Sequence, residues 1–182
     1  MGLFDTMATV IAELDRAGIP HMVSGSVASA HHGESRATQD IDVVIDPTAS
    51  QLHELVEALR DRGLYVDDAA AAMAHRSQFN AIDTTTGWKV DLIIKKDRAY
   101  SREEFARRRP AELGGLDVYV TSPEDSILSK LEWGAASGSE RQVRDVQSII
   151  RAQLDRLDWS YLEHWAGELH ISELLEQART AS

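Results

Sequence analysis

No cysteine occurs in the 182 residues, which excludes disulfides, thiolate nucleophiles and cysteine-ligated zinc or iron–sulfur centres. Long apolar runs are missing too: nothing approaches the roughly 20 apolar residues that a membrane-spanning helix needs. The segment from Met1 to Gly18 carries acidic residues inside its apolar pattern and no positive leader, so no signal peptide is expected and the cytoplasm is the expected location. Proline and glycine are scarce, at 4 and 11, and no low-complexity tract is present. Disorder is therefore expected only at the ends and in one or two loops. The seven histidines show no dense ligand spacing, and a catalytic zinc site is not expected. Basic residues are in deficit, 19 Lys and Arg against 30 Asp and Glu, which leaves a net charge of −11. Such a surface repels nucleic acid unless a local basic cleft or bound cations reverse the field. It argues for a small substrate or a basic partner protein, and leaves open an RNA end entering a metal-containing pocket.

What is present suffices for one real core, since 43% of the residues are hydrophobic, with room for a helical appendage. Leu3, Phe4, Met7, Val10, Ile11 and Leu14 recur at helical spacing and stop at Gly18-Ile19-Pro20. His21 to Ser24 reads as a short strand entering Gly25-Ser26, with a short helix from Val27 to His32. Residues 34–39 read as a polar loop. Asp40 to Ile45 alternates as a strand with one apolar face. Leu52, Leu55, Val56 and Leu59 mark another amphipathic helix, Leu64 to Val66 a strand, and residues 67–75 fit no single pattern. Gln78 to Asp83 and Trp88 to Ile94 flank Thr84-Thr85-Thr86-Gly87 as a hairpin. Glu103 to Arg109 is predicted helical up to Pro110, and Leu116 to Val120 a strand. From Ser122-Pro123-Glu124-Asp125, a capped helix start, only helical patterns follow, including Tyr161, Leu162 and Trp165 as one buried stripe.

The chemistry gathers around Asp40-Ile41-Asp42. Side chains two apart on a strand share a face, so the two carboxylates project together while Ile41, Val43 and Ile45 face a core. Like charges held side by side repel, increasingly as water is excluded. A solvated strand edge tolerates that, and so does a site with a bound cation. Oxygen ligands without sulfur or imidazole suit Mg²⁺ or Mn²⁺. Asp91, inside Trp88-Lys89-Val90-Asp91-Leu92-Ile93, offers a third carboxylate on a neighbouring strand. Three converging acids can hold two ions about 4 Å apart for phosphoryl or nucleotidyl transfer. Gly25 permits a tight turn and close approach of a phosphate, or serves with Ser26 as a helix cap; Ser26 and the N–H groups of the following helix favour anions. Arg36 and Thr38, just ahead of the acids, contact phosphate or fix the loop.

The order of these elements, Gly25-Ser26, then Asp40-x-Asp42, then a lone Asp91 in a later strand, resembles the nucleotidyltransferase superfamily, the DNA polymerase beta-like fold. The resemblance implies an α+β architecture: a small mixed or antiparallel sheet with packed helices and a C-terminal helical segment. It places the core at residues 1–121 and the helical region at 122–182. It implies transfer of a nucleoside monophosphate from an NTP, with Mg²⁺ or Mn²⁺ held by Asp40, Asp42 and Asp91, to a hydroxyl acceptor on an RNA end, a protein or a small molecule. The chain is also similar to the bacterial branch that includes abortive-infection (AbiEii-type) toxins, through Lys130-Leu131 and the Arg141 to Asp145 element. That implies Lys130, Arg141 and Asp145 as nucleotide contacts beside Gly25, Ser26, Arg36 and Thr38, Lys130 as a catalytic group, and an antitoxin-like partner protein. On residues alone, Lys130 snorkels from an apolar stripe or reaches a triphosphate, and Arg141 and Asp145 form an i,i+4 surface pair or contact the nucleotide. A metal-dependent hydrolase could use the same carboxylates. A fold-retaining protein that binds nucleotide or a partner without turnover is the competing class.

Overall fold

The computed structural model describes residues 2–33 and 40–181. It divides into two compact units, Met1–Ser26 with Thr38–Val120, and Val27–Ala37 with Thr121–Ser182.

The first unit is built on a seven-stranded mixed sheet. Its strands are β1 (His21–Ser24), β2 (Asp40–Ile45), β3 (Leu64–Val66), β4 (Gln78–Asp83), β5 (Lys89–Ile94), β6 (Arg109–Leu113) and β7 (Leu116–Val120), in the spatial order β3-β4-β5-β2-β1-β7-β6. β2 runs antiparallel to β1 and parallel to β5, while β1 also pairs parallel with β7. Strand alternation sorts the residues by face. Val23, Ile41, Val43, Ile45, Val90, Leu92, Ile94, Phe79 and Ala81 are all buried to within 1% of complete, and Ser24, Asp40, Asp42, Asn80 and Asp91 alternate with them on the other face, beside Val44, Ile82 and Ile93. Helices α1 (Leu3–Arg16) and α3 (Ala49–Asp61) pack against each other. They contribute Met7, Val10, Leu14, Leu55 and Leu59, none of them exposed. Phe4, the first turn of the α1 stripe, is 44% exposed and lies against Gly114. Gln51 Nε2 donates to the carbonyls of Ala17 and Gly18, both at 3.1 Å, closing the end of α1. Buried Glu13 pairs with Arg16 and with Arg62 at 2.9 Å.

The structure resolves one ambiguous stretch and corrects the bounds of two helices. The ambiguous residues 67–75 hold the helix α4 (Ala69–His75), N-capped by Asp68, whose carboxylate accepts from the Ala71 N–H at 3.0 Å. The helix expected at Glu103 to Arg109 is α5 (Ala99–Ala106), and Arg109 to Leu113 is the strand β6. The helix ends at Ala106, ahead of Pro110, and Pro110 sits inside β6 because β6 is an edge strand and an edge position tolerates the missing N–H. Gly114 and Gly115, at φ 59° and 82°, form the two-residue turn into β7. Finally, α2 spans Gly25–His32 and starts directly on Gly25.

In the second unit, α6 (Pro123–Ser137) begins with Ser122 capping the Asp125 N–H at 3.1 Å and Pro123 at the first helical position. It packs with α7 (Glu140–Gln153), α8 (Trp159–Glu168) and α9 (Ser172–Thr180). Ile127, Leu128, Val146, Ile149, Ile150 and Leu162 are fully buried there. Tyr161 and Trp165 are only half-buried, and the Tyr161 hydroxyl donates to Asp125 at 2.7 Å. No helix among the described residues is long and apolar enough to cross a membrane.

The β4–β5 hairpin turn is tied by Asp83. Its carboxylate accepts from the Thr86 hydroxyl at 2.7 Å and the Thr85 N–H at 2.9 Å, and these bonds hold it below the ordinary aspartate value. A carboxylate lowered on folding stabilises fully above its unfolded pKa, and that contribution disappears as pH falls through the lower folded-state value. Melting curves from neutral to acid pH are expected to show a smaller loss of Tm for Asp83→Asn than for the wild type.

Candidate active site

Strand register assembles the site. Ser24 on β1 faces Asp42 on β2, Asp42 faces Asp91 on β5, and Asp91 faces Asn80 on β4. Residues in register on adjacent strands point to the same side, about 4.8 Å apart, so a polar row crosses four strands on the face opposite the apolar core. Two residues along, Asp40 stands in register with Lys89. Asn80 is fixed from its far side by Asp67, whose two carboxylate oxygens accept from the Asn80 backbone and side-chain amides, both at 2.6 Å. Asp40 and Asp42 therefore share a face with Asp91, as their spacing implied, and Ile41, Val43 and Ile45 are completely buried on the other side.

The three acids differ in exposure. The Asp40 side chain is 52% exposed, Asp42 is half-buried and Asp91 is only 7% exposed. A nearly buried carboxylate in register with another carboxylate needs a positive charge, and the chain supplies one. The Lys89 ammonium lies 2.9 Å from each Asp91 oxygen and 3.6 Å from Asp40 Oδ1. Burial opposes the charge on Lys89, but the hydrogen bond and charge of Asp91, joined by Asp40, outweigh it and raise the lysine above its ordinary value.

Among the described residues, no group of three or more His, Cys, Asp or Glu side chains converges as a ready metal-ligand cluster. The aspartates are spread along two strands with an ammonium between two of them. The donor set nevertheless suits a hard cation. It is all oxygen, and Asp91 Oδ1 is buried without a hydrogen-bond partner in acceptable geometry.

Gly25 is held in the left-handed region at φ 61°, and a Cβ built on it would run into the Asp42 carboxylate. Its absent side chain thus serves the acid pair directly, letting Asp42 lie against the turn from β1 into α2. Helix α2 starts on Gly25 and Ser26, and a helix start is an element that favours anions.

In the second unit, Lys130 on α6 donates to Asp145 at 2.8 Å and to Gln142 at 3.2 Å on α7. The Lys130 and Asp145 side chains are 7% and 10% exposed, so Asp145 belongs to a buried pair between helices and not to an i,i+4 surface pair. Arg141 is exposed, as is Trp133 one turn beyond Lys130. Arg36 and Thr38 lie outside the described residues.

A family described as uncharacterised nucleotidyltransferases matches residues 1–181. The chain belongs to that family. No curated protein matches this family member. Among solved structures it is similar to the antibiotic-resistance factor ANT(2'')-Ia in complex with adenylyl-2''-tobramycin, at 16% identity over 90% of this chain and 94% of that one, with a TM-score of 0.59. It is similar also to the lincosamide antibiotic adenylyltransferase LnuA with lincomycin bound, at 13% identity over 80% and 94% of the two chains, TM-score 0.54. A third is an antigenic nucleotidyltransferase-like protein from Paracoccidioides brasiliensis, at 18% identity over 80% and 75%, TM-score 0.51. At these identities the likeness speaks for the fold: an α+β nucleotidyltransferase fold with a mixed sheet and packed helices.

Three residues on the polar face of this family member carried no role in the sequence reading. Lys89 was legible from Asp91, since residues two apart share a face. Ser24 and Asn80 were not, because the row they flank forms only through the pairing of β2 with β5, which lie far apart in sequence. Gly25→Ala is expected to destabilise the fold by about 1–3 kcal/mol through backbone strain and displacement of Asp42, measured by urea denaturation. Wild-type stability in that variant would contradict the close fit of Gly25 to Asp42.

Proposed function

We propose that the chain transfers a nucleoside monophosphate from an NTP to a hydroxyl-bearing small molecule and releases pyrophosphate. The observation that carries this reading is the in-register row Ser24–Asp42–Asp91–Asn80 with Asp40 beside it, adjoining the Gly25-Ser26 helix start. Asp40 and Asp42 hold Mg²⁺ or Mn²⁺, with Asp91 completing the set. Bound there, such an ion stabilises charge on the polyphosphate and acidifies a nearby hydroxyl. Gly25 and Ser26 receive phosphate oxygens on backbone N–H groups and the Ser26 hydroxyl. The acceptor oxygen attacks the α-phosphorus; a new O–P bond forms, and the bond to the bridging oxygen breaks with its electron pair leaving on pyrophosphate. Asp91 takes the hydroxyl proton on Oδ2, its other oxygen, Oδ1, being the buried one left to the ion. For Lys130 to act on a triphosphate, it must first give up its buried pair with Asp145.

The net charge of −11 disfavours a long polyanionic acceptor, and two proteins of the same fold have small antibiotics or their adenylylated products bound. The toxin branch and an antitoxin-like partner have narrower support, resting on Lys130-Leu131 and the Arg141 to Asp145 spacing. One observation favours the competing class, a nucleotide- or partner-binding protein without turnover: the Lys89 ammonium already sits on the buried acid.

The test is incubation with each α-labelled NTP, Mg²⁺ and either total RNA or a metabolite extract. Label is expected on small molecules, and Asp42→Asn is expected to cut transfer at least about 100-fold with an unchanged circular dichroism spectrum. Label found only on RNA would overturn the acceptor. No transfer from any NTP by the wild type would overturn the enzyme reading in favour of the binding protein.

A further inference from the structure

We propose that Lys89 is the resident counter-cation of the acid site, competing with the divalent ion for the oxygens of Asp91 and Asp40 and keeping metal affinity weak until the ammonium is released. This rests on the metal-dependent reading given above and concerns how the same site is regulated.

Asp91 is 7% exposed and stands in register with Asp42, another carboxylate. Without a positive charge, ionised Asp91 would face both desolvation and repulsion. Lys89 answers both, with its ammonium 2.9 Å from the two Asp91 oxygens and 3.6 Å from Asp40. An ordinary surface ion pair joins two exposed, mobile groups and contributes little; here one partner is nearly buried and the lysine bridges two strands. Those carboxylates are the ones a hard divalent ion would use, and one ammonium and one metal ion cannot occupy the same few ångströms. Exchange is mechanically easy. The Lys89 side chain is 31% exposed, and its flexible four-carbon stem lets the ammonium swing out with no movement of β5. The buried Asp91 Oδ1, which Lys89 approaches at 2.9 Å without a well-aligned hydrogen bond, is the oxygen that gains most from the exchange. Once displaced, the ammonium is free to meet an anion such as a phosphate, so a nucleotide arriving with the metal offers Lys89 a new partner.

Two substitutions separate the charge from the fold. Lys89→Gln removes the competitor, and Lys89→Arg strengthens it, because a guanidinium grips a carboxylate through two parallel hydrogen bonds. The probe is Mn²⁺ alone, titrated into the full-length protein without nucleotide and followed by the electron paramagnetic resonance signal of free Mn²⁺. Lys89→Gln is expected to bind Mn²⁺ roughly tenfold more tightly than the wild type or better, since a positive charge a few ångströms away is removed. Its melting temperature without metal is expected to be lower and to rise more on adding Mn²⁺. Lys89→Arg is expected to bind Mn²⁺ more weakly than the wild type, and this arm holds even where the glutamine variant folds poorly. Equal affinity in all three proteins, or weaker binding by Lys89→Gln, would overturn the role of Lys89 while leaving the metal site standing. No Mn²⁺ binding by any of them would overturn both.

Discussion

Three carboxylates on one face of a sheet repel one another, and the first unit is arranged around that repulsion. Parallel pairing of β2 and β5 sets Asp42 beside Asp91, and strand periodicity places Asp40 on the same face. The apolar side of the same strands fixes the register. Ile41, Val43 and Ile45 interleave with Val90, Leu92 and Ile94 in a fully buried core, and slipping either strand by one residue would turn its acids inward. Hydrophobic burial therefore holds the acids in place against their mutual repulsion. The chain then supplies the compensation, with the Lys89 ammonium on Asp91.

Much of this was legible before any coordinates. Asp40-Ile41-Asp42 and Val90-Asp91-Leu92 announce strands with acids on one face, because a period of two is the strongest signal a half-buried strand carries. The capped start of α6 at Ser122-Pro123 was equally plain. Pro110 misled because a proline ends a helix but is compatible with an edge strand, and the Gly114-Gly115 turn beside it was the better guide. One step of the register was beyond reach: β1–β2 and β4–β5 are consecutive antiparallel pairs, but nothing local sets β2 beside β5, and that pairing joins Ser24 and Asp42 to Asp91 and Asn80 in one row. The precise need for Gly25 was hidden as well. Its freedom at positive φ is a local property, whereas its contact with Asp42 spans a loop.

The second unit treats its buried acids differently. Asp125 is satisfied by Ser122 at 2.6 Å and Tyr161 at 2.7 Å, Glu124 by the Asp158 N–H at 3.1 Å, and Asp145 by Lys130 at 2.8 Å. These are neighbours on packed helices, and their bonds explain why charged residues sit in a helical core. Asp91 differs in keeping one buried oxygen without a well-aligned donor, despite an ammonium close by. A buried polar atom left in that condition calls for an explanation, and on a face shared with two further carboxylates a bound cation supplies one.

The central claim is that this row of side chains, and no other part of the described chain, receives the divalent ion. Paramagnetic broadening by substoichiometric Mn²⁺ in a ¹H–¹⁵N spectrum of the labelled protein tests it most directly. Amide signals of Ser24, Gly25, Asp40, Asp42, Asp91 and Asn80 are expected to disappear first. Broadening centred on other acidic residues, with these signals intact, would contradict the account.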